Sequence, residues 1–147
     1  MNDRDFVTAF EACALSDEGF HHRDHVRLAW LYLKDMPPAQ ALTRFTEGLK
    51  RFAHAHGKPG LYHETITWAY LLLIRERMAL FGEAGGFEEF AAANPDLLTW
   101  KPSVLGRYYR EETLGSELAR RVFLLPDRVG ETPARDSRLT VSTARKP

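Results

Sequence analysis

The residues best equipped for chemistry in this chain are its imidazoles, and they are grouped. Two segments carry most of them: Phe20-His21-His22-Arg23-Asp24-His25 and Tyr62-His63-Glu64-Thr65, each opening an apolar-periodic stretch. His22 and His25 are three residues apart, so a helical first turn puts both on one face. Each stands one turn ahead of the core-facing stripe, His22 before Val26 and His25 before Ala29, and His63 stands one turn before Thr67. These rings are expected to point inward. Three imidazoles with a carboxylate form a donor set for a divalent ion such as zinc, iron or manganese. A helix N-terminus disfavours imidazolium, and neutral imidazole is the form that ligates a metal or acts as a base. His22, His25 and His63 are therefore the candidate metal ligands. Glu64 is a candidate ligand or general base towards bound water, and Asp24 a candidate carboxylate orienting an imidazole.

The same residues have a structural reading. Asp24 and Glu64 sit where first-turn carboxylates cap helices or meet the dipole. The histidines can be buried core groups with hydrogen-bonded rings. His54 and His56 lie at a helix C-terminus, where the dipole favours them, and His21 is expected to be exposed. Thr67 can bond an imidazole or ligand, or bond back to a helical carbonyl. Tyr108 and Arg120 form a second candidate group, a hydroxyl and a guanidinium fork for an anionic or polar substrate, against aromatic packing and a solvated arginine face. Trp30, Trp68 and Trp100 read as core or pocket wall.

Helices must position these groups, and the pattern is helical almost throughout. The spacing of Phe6, Ala9, Phe10 and Cys13 predicts a first helix over roughly 3–15. A second runs from His22–Asp24 to Lys34 on the stripe Val26, Ala29, Trp30, Leu33, and Pro37-Pro38 stops it. Pro38 suits the first turn of a third helix, which carries Ala41, Leu42, Phe45, Leu49 and Phe52 and ends near His54. Gly57-Lys58-Pro59-Gly60 is a break, and a fourth helix runs from His63 or Glu64 to about Phe81. Phe87 to Ala93 reads as a short helix, Leu97 to Arg110 as irregular, and Glu112 to Leu124 as a last helix. Short connections favour antiparallel neighbours, so the N-termini of the second and fourth helices fall at one end of the bundle, together with Glu11 and Cys13 from the end of the first.

Length and composition agree with this. The 147 residues suit one domain, and 44% hydrophobic and 12% aromatic content suits a packed core. The expectation is one all-α domain over 1–127, a bundle of four to five main helices with a short-helix insertion. The Arg-, Thr- and Ser-rich tail over 128–147 is expected to be flexible. Twenty basic and twenty acidic residues balance to a net charge of zero, which removes the electrostatic case for nucleic acid or a membrane surface. One cysteine, Cys13, excludes a disulfide framework within the chain. With neither a leader pattern nor a membrane-length apolar run, a soluble cytoplasmic protein is expected. Two function classes follow: a metal-dependent enzyme acting on a small polar substrate, and a metal-free module that binds a small ligand or a protein partner. A third possibility is a helical homodimer whose exposed apolar face is the functional surface.

The chain resembles a small group of bacterial all-helical proteins of uncharacterised function. The residues that carry the resemblance are Phe20, His22, Asp24 and His25 (Phe-x-His-x-Asp-His), Ala29-Trp30, Tyr62-His63-Glu64-Thr65, Leu114-Gly115-Ser116-Glu117-Leu118-Ala119-Arg120 and Pro126-Asp127. The similarity spans most of residues 6–127, and it implies the helical fold without implying an activity.

Overall fold

Local signals start and stop the helices. In the computed structural model, which describes residues 1–82 and 84–128, helix α1 covers Asp3–Glu11, with the Asn2 side chain accepting from the Asp5 amide at 2.8 Å. It ends four residues sooner than its apolar spacing suggests. Cys13 takes φ +56°, the Cys13 amide returns to the Phe10 carbonyl and the Ala14 amide to the Ala9 carbonyl. That is a Schellman closure with cysteine where glycine is usual. Helix α2 covers His22–Asp35, α3 Pro38–Ala55 with Pro38 in its first turn, and α4 Glu64–Phe81. Shorter helices follow: α5 Phe87–Ala93, α6 Pro95–Leu98, α7 Glu111–Leu114 and α8 Glu117–Arg121. The described residues contain no strand, and the protein is an all-α bundle with five main helices. No helix among them is long and apolar enough to cross a membrane. Residues 129–147, nearly all of the expected tail, lie outside the described residues.

Helices α2, α3 and α4 pack against one another and form the centre. Their stripes meet in a core that includes Val26, Leu28, Ala29, Phe45, Leu71 and Ile74, all nearly or fully excluded from solvent. Helix α1 packs on α3, α5 and α6 on α2, and α8 on α4. The α1–α3 contact needs a glycine. A Cβ on Gly48, in the middle of α3, would lie 2.7 Å from Cε2 of the buried Phe10 ring. Phe10 in turn stacks on Phe20 and Phe52 at 5.3 and 5.5 Å between ring centroids, so it has little room to yield.

Residues 95–128 are held by polar contacts more than by helix length. The helix expected over Glu112–Leu124 is two short ones, because Gly115 closes the first and the Ser116 hydroxyl caps the second, accepting from the Ala119 amide at 3.1 Å. After Arg121 the chain is irregular and lies over α4. Thr65, fully buried in α4, organises it: its hydroxyl lies 2.7 and 2.8 Å from the carbonyls of Ala119 and Val122 and accepts from the Leu124 amide at 3.1 Å. The Tyr109 hydroxyl donates to the Leu124 carbonyl at 2.7 Å, and burial pushes its pKa up to about 12. The Asp127 carboxylate accepts from the Arg110 amide and the Thr113 hydroxyl. Upstream, Arg77 of α4 grips Asp96 of α6 through two nitrogens at 2.7 and 2.9 Å, and Arg107 adds a third contact at 2.9 Å. These guanidinium groups hold the Asp96 carboxyl at about 2 against partial burial.

Two substitutions test this packing. Helix propensity alone predicts that Gly48→Ala stabilises α3 by about 1 kcal/mol. The Phe10 ring reverses the sign, and denaturant unfolding is expected to show a loss of about 1–3 kcal/mol, the usual cost of an overpacked site. Thr65→Val keeps the shape but strands the Leu124 amide and removes the one O–H shared by two carbonyls, so it is expected to cost about 1–3 kcal/mol and to raise hydrogen exchange in residues 117–124. An unchanged exchange pattern there would show that Thr65 does not hold that segment.

Candidate functional site

The start of α2, the end of α3 and the start of α4 surround a partly open cavity of about 580 Å³. Its wall takes His22, His25 and Val26 from α2, Phe45, Leu49, Phe52, Ala53 and His56 from the α3 side, and Ile66, Thr67, Tyr70 and Ile74 from α4. The connecting segments supply Asp17, Phe20, Lys58, Leu61, Tyr62, His63 and Trp100, and α8 supplies Arg120. The three histidines singled out by their spacing therefore reach one cavity at one end of the bundle. Glu11 and Cys13 do not: the Glu11 carboxylate accepts from Tyr32 and Arg44, and neither residue is in the wall.

Each of these imidazoles has one ring nitrogen on a backbone carbonyl. His22 Nε2 donates to the Leu97 carbonyl at 2.8 Å, and the ring meets Tyr70 edge-on with centroids 4.9 Å apart. His25 Nδ1 donates to the His21 carbonyl at 3.0 Å, with the ring 4.4 Å from Phe20. His63 uses both nitrogens: Nδ1 accepts from the Ile66 amide at 3.1 Å, and Nε2 donates to the Leu114 carbonyl at 2.7 Å. A carbonyl can only accept, so each partner fixes the tautomer of its ring. Desolvation lowers the pKa of all three, and the carbonyl bonds oppose it only in part. Lowered from an ordinary value already below 7, all three favour the neutral ring at pH 7.

This arrangement bears directly on the metal reading. His63 has no lone pair left for an ion. Among the described residues no group of three His, Cys, Asp or Glu side chains is disposed to hold a metal. The two proposed catalytic carboxylates also stand outside the wall. Asp24 accepts from the His21 amide at 2.9 Å, as the cap its position in the first turn allows. Glu64 accepts from the Tyr62 hydroxyl at 2.5 Å and faces a separate surface cleft with Lys50, Glu117 and Arg121. Burial and the Glu64 carboxylate push the Tyr62 phenol well above its ordinary range. Of the substrate-binding candidates, Thr67 and Arg120 line the cavity, Arg120 tied by Nη1 to the Gly60 carbonyl at 2.7 Å. Tyr108 does not, and its carbonyl instead accepts from the amides of Asp127 and Arg128.

His56 is the wall residue that the dipole reading missed. Its ring lies 4.4 Å from Phe52, and its Nε2 is buried with no hydrogen-bond partner. The spacing Phe45, Leu49, Phe52, His56 continues the apolar stripe of α3 by one turn, which is the signal that places it. Comparison of the chain with protein-family models, curated proteins and solved structures gives no match.

The neutral rings make stability depend on pH. An unfolded chain binds protons at its histidines near the ordinary value of 6.5, whereas His22, His25 and His63 resist protonation when folded. The unfolded state therefore holds more protons below that value, and stability falls as pH drops below about 6.5 until the folded pKa values are reached. The melting temperature is expected to decrease from pH 7.5 to pH 5, above the range in which carboxylates titrate, and His25→Asn is expected to flatten that slope. A level profile over this interval would rule the mechanism out.

Proposed function

We propose that the protein binds a small, predominantly apolar molecule in the cavity between α2, α3 and α4, and that it does so without a metal ion. The observation that carries this reading is a cavity of about 580 Å³ walled by Phe20, Phe45, Phe52, Tyr70 and Trp100, with imidazoles whose N–H groups are already bonded to backbone carbonyls. That volume lies in the range of small-molecule sites, which combine an apolar wall with a few placed polar groups. Trp100 is 44% exposed at the edge of this wall, large apolar surface that a bound molecule would cover. The carboxylates that would serve a hydrolytic metal site are engaged elsewhere, Asp24 as a cap and Glu64 with Tyr62.

A neutral solvatochromic dye such as Nile red tests occupancy. It is expected to bind with a blue-shifted emission, and Ala53→Trp, which fills the cavity from α3, is expected to weaken binding at least tenfold while circular dichroism stays native. Dye binding that ignores this substitution would place the site elsewhere. The melting temperature is expected to be the same with a chelator and with added zinc, ferrous or manganous ion. A chelator-sensitive transition would contradict the metal-free reading.

A further inference from the structure

We infer that the cavity selects uncharged ring compounds that carry an O–H or N–H donor, of which phenol is the simplest, over hydrocarbons and carboxylates of the same size. The inference rests on the binding function proposed above and names its ligand class. It follows from which polar atoms in the wall are still free. His25 has its Nδ1–H on the His21 carbonyl, so its Nε2 carries a bare lone pair. His22 has its Nε2–H on the Leu97 carbonyl, so the lone pair is on Nδ1. His56 adds an Nε2 that is buried and has no partner. The His22 and His25 nitrogens ask for hydrogen, whereas no contact fixes the tautomer of His56, whose Nε2 can take either role.

The tyrosine and cationic donors in the wall each have a partner already, with N–H groups to spare on Lys58 and Arg120. The Tyr70 hydroxyl is paired with Ser103 Oγ at 2.8 Å, and the Tyr62 hydroxyl donates to Glu64. The Lys58 ammonium lies 2.8 Å from the Asp17 carboxylate, and Arg120 is tied to the Gly60 carbonyl. A carboxylate entering the cavity would face imidazole lone pairs with its own lone pairs. Protonating the rings to receive it works against their desolvation. A hydrocarbon fits the aromatic wall but leaves the acceptors dry, which is costly for buried polar atoms. An O–H or N–H on a flat ring satisfies both requirements: the ring packs among Phe20, Phe52 and Trp100, and the hydrogen goes to an imidazole.

The test is a titration of the wild-type protein at pH 7.5 with phenol, toluene and benzoate, read by calorimetry and by nitrogen-15 resonances of the histidine rings. Phenol is expected to bind three- to tenfold more tightly than toluene, the worth of one net hydrogen bond, and more tightly still than benzoate. The His25 Nε2 resonance is expected to move with phenol and to stay put with toluene. In His25→Phe, the preference for phenol over toluene is expected to narrow, with toluene binding retained and His22 Nδ1 still able to accept; should that variant not fold, the wild-type ranking alone decides. Equal affinity for toluene and phenol, or a preference for benzoate through the remaining donors of Arg120, would overturn the donor selectivity and leave the cavity a binding site. Failure of all three to bind at millimolar concentration would overturn the binding function itself, and the selectivity with it.

Discussion

A buried imidazole must find an acceptor for its one N–H, and in this protein that requirement ties the architecture together. The acceptors are backbone carbonyls, and two of them come from far along the chain. His22 reaches Leu97, 75 residues on, and His63 reaches Leu114, 51 residues on. Each bond satisfies a ring that would otherwise be costly to bury, and each pins an irregular segment that has little helix of its own. The Arg77–Asp96 pair does related work for α6: it fixes the helix whose last residues present the Leu97 carbonyl. Neutrality of the rings, their tautomers and the position of the segments around Leu97 and Leu114 are one linked set.

That linkage explains why a cavity survives where a core would otherwise close. Interiors pack tightly, and a void between three helices is usually filled by side chains. Here the helix ends are held apart by groups with outside commitments. His22 is tied to α6, His63 to α7, and Thr65 to α8 and the segment after it, while Phe10 stacks on Phe20 and Phe52 on the α1–α3 side. The walls are anchored from behind and do not need the cavity filled in order to keep their shape.

Much of the scaffold was legible in the sequence, because helix starts and stops are local. Pro38 at the start of α3, the break before α4 and the glycine after Phe81 put the three central helices within a residue or two of their observed limits. Meeting of His22, His25 and His63 at one end followed from short connections between those helices. The end of α1 was less legible, since a cysteine in the left-handed region closes it where no glycine signals a stop. The C-terminal helix was misread for a related reason: Gly115-Ser116 looks tolerable inside a helical pattern until the Ser116 hydroxyl is seen capping a new one. The helix C-terminus suggests a dipole role for His56, although its spacing continues the stripe of α3.

By itself the sequence determined that this is an all-α protein and where its three long helices lie, since periodicity, proline and glycine act over a few residues; on sequence alone, the meeting of its histidines at one pole is only an expectation from topology. The tertiary structure decided what each ring nitrogen does. A histidine at a helix start can bind a metal, take a proton or cap a backbone, and the choice depends on which atom meets it from elsewhere. The carbonyls of Leu97 and Leu114 are that atom for His22 and His63, and no local pattern announces a hydrogen bond spanning half the chain.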